Sequence, residues 1–221
     1  MKYKCLILDH DDTVVQSTPS IHYPSFIEAL KVLRPNLSNL TIEEFILKCF
    51  KPGFSEFCKD ILKFNEEEQK YQYEIWTNYT KANIPKFYEG FSELIKEFKE
   101  KGGIICVSSH SESNQIERDY IYNCGVIPDK IFGWDLKEEQ RKPNPFSIKE
   151  TMRLFNLTEK DILMVDDLKP GLDMAKACDV DFASAGWSHV IPEVIEFMKS
   201  NSTYYFKEVK ELKKLILEDV N

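Results

Sequence analysis

Cys5-Leu6-Ile7-Leu8-Asp9-His10-Asp11-Asp12-Thr13 decides the reading of this chain. Four apolar residues run without interruption and stop at a cluster of acids. An unbroken run of this kind suits a strand whose sheet is covered by helices on both faces, because neither row of side chains then meets water. Two more stretches have the same form: Ile104-Ile105-Cys106-Val107 before Ser108, and Ile162-Leu163-Met164-Val165 before Asp166. Amphipathic segments lie between them, such as Gly90 to Lys101 with Phe91, Leu94, Ile95 and Phe98 at helical spacing. This alternation predicts an α/β fold built on an open parallel sheet. Ligands of such sheets bind outside the carboxyl ends of the strands, where all three polar clusters fall.

From Val14 to about Lys86 the alternation is broken. Helical patterns fill that interval at Phe26–Leu33, Thr41–Phe50, Phe54–Phe64 and Glu66–Lys81, with no strand-like run. Thr41-Ile42-Glu43-Glu44 reads as a capping box, and Pro52-Gly53 separates two helices. The expected organisation is a core of residues 1–15 and 86–221 with an all-helical subdomain, 16–85, inserted after the first strand. The tail adds a short strand at Tyr204-Tyr205-Phe206 and a helix through Leu212, Leu215 and Ile216.

Composition narrows the function. The 221 residues carry 29 Lys+Arg against 37 Asp+Glu, a net charge of −8, which argues against an electrostatic nucleic-acid or anionic-membrane binder. No apolar stretch approaches the ~20 residues of a membrane span. The N-terminal residues reach Asp9 before an apolar core of signal-peptide length forms, so a cytoplasmic chain is expected. The six cysteines show no C-x-x-C pair, and the four histidines have no ligand spacing. Reduced, buried thiols are expected, and a zinc site is not.

Four clusters carry the chemistry. Asp9 and Asp11 stand one residue apart at a strand end; such close carboxylates suggest a cation that neutralises them. The others are Ser108-Ser109-His110, Lys142 in Lys142-Pro143-Asn144-Pro145, and the pair Asp166-Asp167. Taken singly, each also reads as a solvated turn, a helix cap or a surface residue. Taken together they fit phosphoryl transfer: an aspartate to attack phosphorus, a second acid for the leaving oxygen, a hydroxyl and an ammonium to hold phosphoryl oxygens, and carboxylates for Mg²⁺.

At these residues the chain resembles the haloacid dehalogenase superfamily of hydrolases over nearly its whole length, in the branch of phosphoglycolate phosphatases and β-phosphoglucomutases with a helical cap. The motifs are the strand with Asp9-His10-Asp11-Asp12-Thr13, Ser108 at a strand end, Lys142 before Pro143, and Asp166-Asp167. Phe87-Tyr88-Glu89-Gly90 and Ala185-Gly186-Trp187 also look like family positions. The resemblance implies a Rossmann-like, three-layer αβα core and Mg²⁺-dependent chemistry through an aspartyl-phosphate. It implies Asp9 as nucleophile, Asp11 as general acid and base, and Ser108, Ser109 and Lys142 around the phosphoryl group. Mg²⁺ would be held by Asp9, the Asp11 main-chain carbonyl and Asp167, with Asp166 close by. Asp11 points to phosphate esters, because dehalogenase-like and phosphonatase-like members lack an aspartate there.

The chain departs from the pattern at two positions. Asp12 stands where Gly is frequent, and His10 where an apolar residue is usual. His10 and His110 are candidate substrate contacts, as is Lys51 in the turn Phe50-Lys51-Pro52-Gly53; each also reads as a structural or surface residue. The expected activity is a phosphatase of a small phosphorylated metabolite, on a monomer or weak homo-oligomer. A β-phosphoglucomutase-like phosphomutase is the second enzyme reading. A phospho-receiver would carry its acidic pair on the first strand, the reverse of the order here.

Overall fold

The structure, a computed structural model, describes residues 1–218; the last three residues of the expected core, 219–221, lie outside them. The chain divides into two compact units: Met1–Gln16 with the chain from Lys86 onward, and Ser17–Pro85.

The first unit holds a six-stranded sheet: β1 (Cys5–Leu8), β2 (Ile104–Ser108), β3 (Lys130–Phe132), β4 (Ile162–Asp166), β5 (Asp181–Ala185) and β6 (Tyr204–Phe206). Every pairing is parallel, in the order β3-β2-β1-β4-β5-β6. On one face Leu6, Leu8, Ile105, Val107, Leu163 and Val165 form a core with Phe91, Leu94, Ile95 and Phe98 of the helix Phe91–Glu100. Ile116 and Tyr120 of Ser113–Cys124 and Leu212 and Ile216 of Val209–Leu217 join it. The alternate residues Cys5, Ile7, Cys106, Ile162 and Met164 are fully buried too. The helix Lys169–Lys176, with Leu172 and Ala175 buried, packs on β4 and β5. Double coverage accounts for the unbroken apolar runs, each fully buried side chain contributing about 1.5–3 kcal/mol relative to exposure.

Strand register places the polar clusters. Leu8 is level with Val107 on one side and Val165 on the other. The next residues, Asp9, Ser108 and Asp166, therefore emerge side by side at the carboxyl edge of three adjacent strands. The chain runs outward from β1 to β3 and returns to β4 on the opposite side of β1, so the switch point of the topology lies between β1 and β4.

The two segments that bound the insertion pair with each other. Val15 bridges Phe87 in antiparallel fashion, the Gln16 amide donates to the Lys86 carbonyl (2.9 Å), and the Tyr88 amide to that of Val14 (2.9 Å).

The second unit is helical: Tyr23–Leu33, Ile42–Lys48 and Glu66–Ala82 are its principal helices. Its core is Phe26, Leu30, Phe45, Phe57, Cys58, Leu62 and Phe64. Thr41 and Glu44 form the expected capping box, and Asn65 and Glu68 form another. Two expected helices are shorter than their patterns suggest. Ile42–Lys48 stops before Phe50 because Lys51 is extended (φ −152°, ψ 117°) ahead of Pro52, and helical geometry beyond Phe54 ends by Lys63 at φ 54°. Among the described residues no helix is long and apolar enough to cross a membrane.

Candidate active site

Asp9 leaves β1 with only 4% of its surface exposed. Its Oδ1 accepts from Lys142 Nζ at 2.6 Å and its Oδ2 from Thr13 Oγ1 at 3.2 Å. Lys142 also donates to Asp166 Oδ2 at 2.8 Å, so one ammonium spans the carboxylates of β1 and β4. Asp166 Oδ1 accepts from the Leu168 amide, and the helix Lys169–Lys176 abuts the same side chain at Gly171. A Cβ on Gly171 would stand 2.3 Å from Asp166 Oδ2, so only glycine fits there. Asp167 Oδ2 lies 2.8 Å from His189 Nε2.

Carboxylate oxygens of Asp9, Asp166 and Asp167 gather within 4.8 Å of one another, all buried. The electrostatics follow. Burial first, then the surrounding carboxylates, hold Asp9 and Asp167 well above the usual carboxylate range, against the opposing pull of Lys142. Burial alone would lower the Lys142 ammonium, but Asp166 and Asp9 outweigh it and keep it above its ordinary value. One lysine for three carboxylates leaves excess negative charge out of water. Hard oxygen donors at this spacing fit a divalent cation such as Mg²⁺.

Asp11 lies apart from that cluster. Its Oδ2 accepts from Ser111 Oγ at 2.6 Å and from Ser109 Oγ at 3.3 Å, and Ser109 Oγ accepts from the Ser111 amide. Of the four acids expected at the site, the carboxylates of Asp9, Asp166 and Asp167 cluster, whereas that of Asp11, expected to offer the cation its main-chain carbonyl, is held by serines. Ser108 Oγ shares a 2.9 Å hydrogen bond with Ser147 Oγ of the helix Phe146–Phe155. Asp12 has φ 55°, the left-handed region that favours glycine and that Asp tolerates better than most residues.

The weaker candidates separate. His110 Nε2 lies 3.1 Å from the Lys142 carbonyl oxygen, and its ring meets Trp134 edge-on, with the Arg141 guanidinium 3.8 Å over the indole. Crowding by surrounding protein, then the Lys142 ammonium, push this imidazole down to about 4 although the side chain remains solvent-accessible. His10, with 2% of its surface exposed, turns into the sheet unit: Nε2 is 3.1 Å from Asp119 Oδ2 and the ring stacks on Tyr120. The expectation of a substrate-facing His10 meets a histidine engaged with a buried acid, itself bonded to Arg118. Lys51 is an exposed residue of the helical unit.

Ser111, Ser147 and His189 were absent from the sequence expectations. The rule that placed the other clusters reaches His189 and Ser111, since both follow the carboxyl ends of strands; Ser147, one serine within a helix, carries no such signal. Trp187, in the same loop as His189, donates from Nε1 to the Thr13 carbonyl (3.0 Å), tying the end of β5 to the acidic loop.

A family model described as haloacid dehalogenase-like hydrolase matches residues 6–185. Among solved structures, a predicted phosphoglycolate phosphatase from Haemophilus somnus superposes with a TM-score of 0.76 at 20% identity, covering 97% of this chain and 98% of that one. A haloacid dehalogenase-like family hydrolase from Streptococcus pneumoniae gives 0.71 at 16% identity, covering 96% and 97%. CbbY from Rhodobacter sphaeroides in complex with phosphate gives 0.64 at 18% identity, covering 95% and 96%. At these identities the likeness is one of fold. No curated protein matches the sequence.

Proposed function

Because the chain belongs to the haloacid dehalogenase-like hydrolases, we propose that it is a Mg²⁺-dependent phosphatase cleaving a small phosphorylated metabolite through an aspartyl-phosphate on Asp9. The observation that carries this reading is the buried cluster in which Lys142 spans Asp9 and Asp166 beside Asp167.

In this reading the cation is held by Asp9, the Asp11 main-chain carbonyl and Asp167, with Asp166 close by. When bound it compensates the charge of the phosphoryl oxygens and of the carboxylates around them. Lys142 orients Asp9 and offers its positive charge to the transferring group, and the Ser108 hydroxyl and the Ser109 loop hold its oxygens. Asp9 attacks phosphorus as the ester P–O bond breaks, and Asp11 gives its proton to the departing oxygen. Asp11 then takes a proton from the water that attacks the aspartyl-phosphate, which releases phosphate and restores Asp9. The hydrogen bonds from Ser111 and Ser109 hold the Asp11 carboxyl group apart from the cation cluster.

Phosphate release from a panel of 2-phosphoglycolate, sugar phosphates and other small phosphate esters, with Mg²⁺ or with excess chelator, tests the proposal. Release from at least one compound with Mg²⁺ and none in chelator is expected. Undiminished turnover in chelator would overturn the metal assignment, and no release from any ester would overturn the phosphatase reading.

A further inference from the structure

We propose that His189 is a positioning residue for cation binding, holding the Asp167 carboxylate in the orientation that keeps Asp9, Asp166 and Asp167 a single donor set. The inference rests on the reading that Asp167 is a ligand of the cation.

The contact is buried on both sides: His189 Nε2 and Asp167 Oδ2 are 2.8 Å apart, with side-chain exposures of 5% and 7%. As a ligand of the cation Asp167 is ionised and can only accept, so Nε2 carries the hydrogen, and in the neutral imidazole Nδ1 is then the unprotonated nitrogen. Nδ1 is itself buried and has no hydrogen-bond partner among the described residues. Among the described residues the single polar tie of this imidazole therefore runs to Asp167. A side chain serving only to fill space would not leave a buried nitrogen unsatisfied, since that is unfavourable and an apolar residue avoids it.

The loop that carries His189 is anchored independently. Trp187 donates to Thr13 and packs edge-on against Phe91, and Ser188 Oγ donates to the Ala185 carbonyl at 2.8 Å. Gly186 lets the loop pass close to Tyr205, where a Cβ would stand 2.3 Å from the ring. His189 thus approaches Asp167 from a fixed base.

Asp167 needs such a tie. The neighbouring charges that act on it are Asp166 and Asp12, both repulsive, and Lys142, which is bonded to Asp9 and Asp166 instead. Besides His189 the carboxylate has only a hydrogen bond from its own backbone amide among the described residues, so without the imidazole less holds it against the two like charges. Hydrogen bonds of this kind behind a ligand are worth about 10–100-fold in metal affinity.

Titration of Mg²⁺ alone by calorimetry, on the wild-type chain and on His189→Phe, His189→Gln, His189→Asn and Asp167→Asn, tests the assignment without recourse to turnover. His189→Phe should bind Mg²⁺ about 10–100-fold more weakly. His189→Gln, whose amide N–H reaches nearly the place of Nε2, should recover most of the loss; His189→Asn, with a shorter reach, should not. In the Asp167→Asn background His189→Phe should have no further effect. If His189→Phe does not fold, the Gln and Asn pair carries the same comparison. Equal affinity of wild type and His189→Phe, or equal losses in Gln and Asn, would overturn the positioning role while leaving the metal site standing. No Mg²⁺ binding by the wild-type chain would overturn both.

Discussion

The two units bury different things. The sheet unit takes ionisable groups out of water: Asp9, His10, Asp119, Asp166 and Asp167 are all buried, and Lys142 lies among them. The helical unit buries rings. Phe26 has Phe45, Phe54 and Phe57 within 5.2–5.8 Å, and among the described residues none of its charged side chains is buried. A phenylalanine cluster is held by area and shape and tolerates neighbours of similar volume. A buried carboxylate is unfavourable unless paired, so each acid of the sheet unit depends on a named partner. Buried ionisable groups are therefore concentrated in the sheet unit, at some cost to its stability, whereas the core of the helical unit is apolar.

The largest expected effect is at Asp9. Asp9→Asn should abolish turnover and, in chelator, raise the melting temperature. Burial holds Asp9 above the usual carboxylate range, so its ionisation in the folded state opposes folding once the pH passes the unfolded value of about 4. The gain in Asp9→Asn should therefore be greatest near pH 8 and shrink toward pH 4, as thermal melts of both proteins will show. A variant less stable than wild type at every pH would mean that the lost bond from Lys142 outweighs the removed charge.

Lys142→Ala should lower the rate of phosphate release by roughly 10²–10³, the usual cost of losing a donor to the transition state. A steady-state rate within a few-fold of wild type would return Lys142 to a structural ion pair.

On the other side of the comparison, Phe26→Ala should cost about 3–5 kcal/mol of stability in denaturant titrations, as expected for a buried phenylalanine. A loss below about 1 kcal/mol would show that the ring cluster of the helical unit relaxes around the gap and is less tightly packed than its contacts imply.

The two units were also unequally legible in the sequence. β1, β2 and β4 stood out because double coverage makes their apolar runs continuous, and the acids and serine that follow them were visible as the points where those runs stop. β3 was not recognisable: its three residues begin with exposed Lys130 at the edge of the sheet. Register was not legible either, because nothing in Leu8, Val107 or Val165 states that they stand level, and it is this alignment that brings Asp9, Ser108 and Asp166 together. Ser147, within a helix and distant in sequence from Ser108, leaves no local pattern, whereas His189 is reachable only through its place after the end of β5. In the helical unit the periodicity located the helices, but the extended Lys51 and the left-handed Lys63 moved their ends.

Trapping the covalent intermediate tests the central claim most directly. Asp11→Asn keeps the proposed nucleophile but lacks the proton donor and the base that activates water, so an ester with a good leaving group should still phosphorylate the enzyme while hydrolysis is slowed. Mass spectrometry of Asp11→Asn after brief exposure to such an ester and Mg²⁺ should find one added phosphoryl group, on Asp9. Finding it on Asp166, on a serine or nowhere would contradict the account.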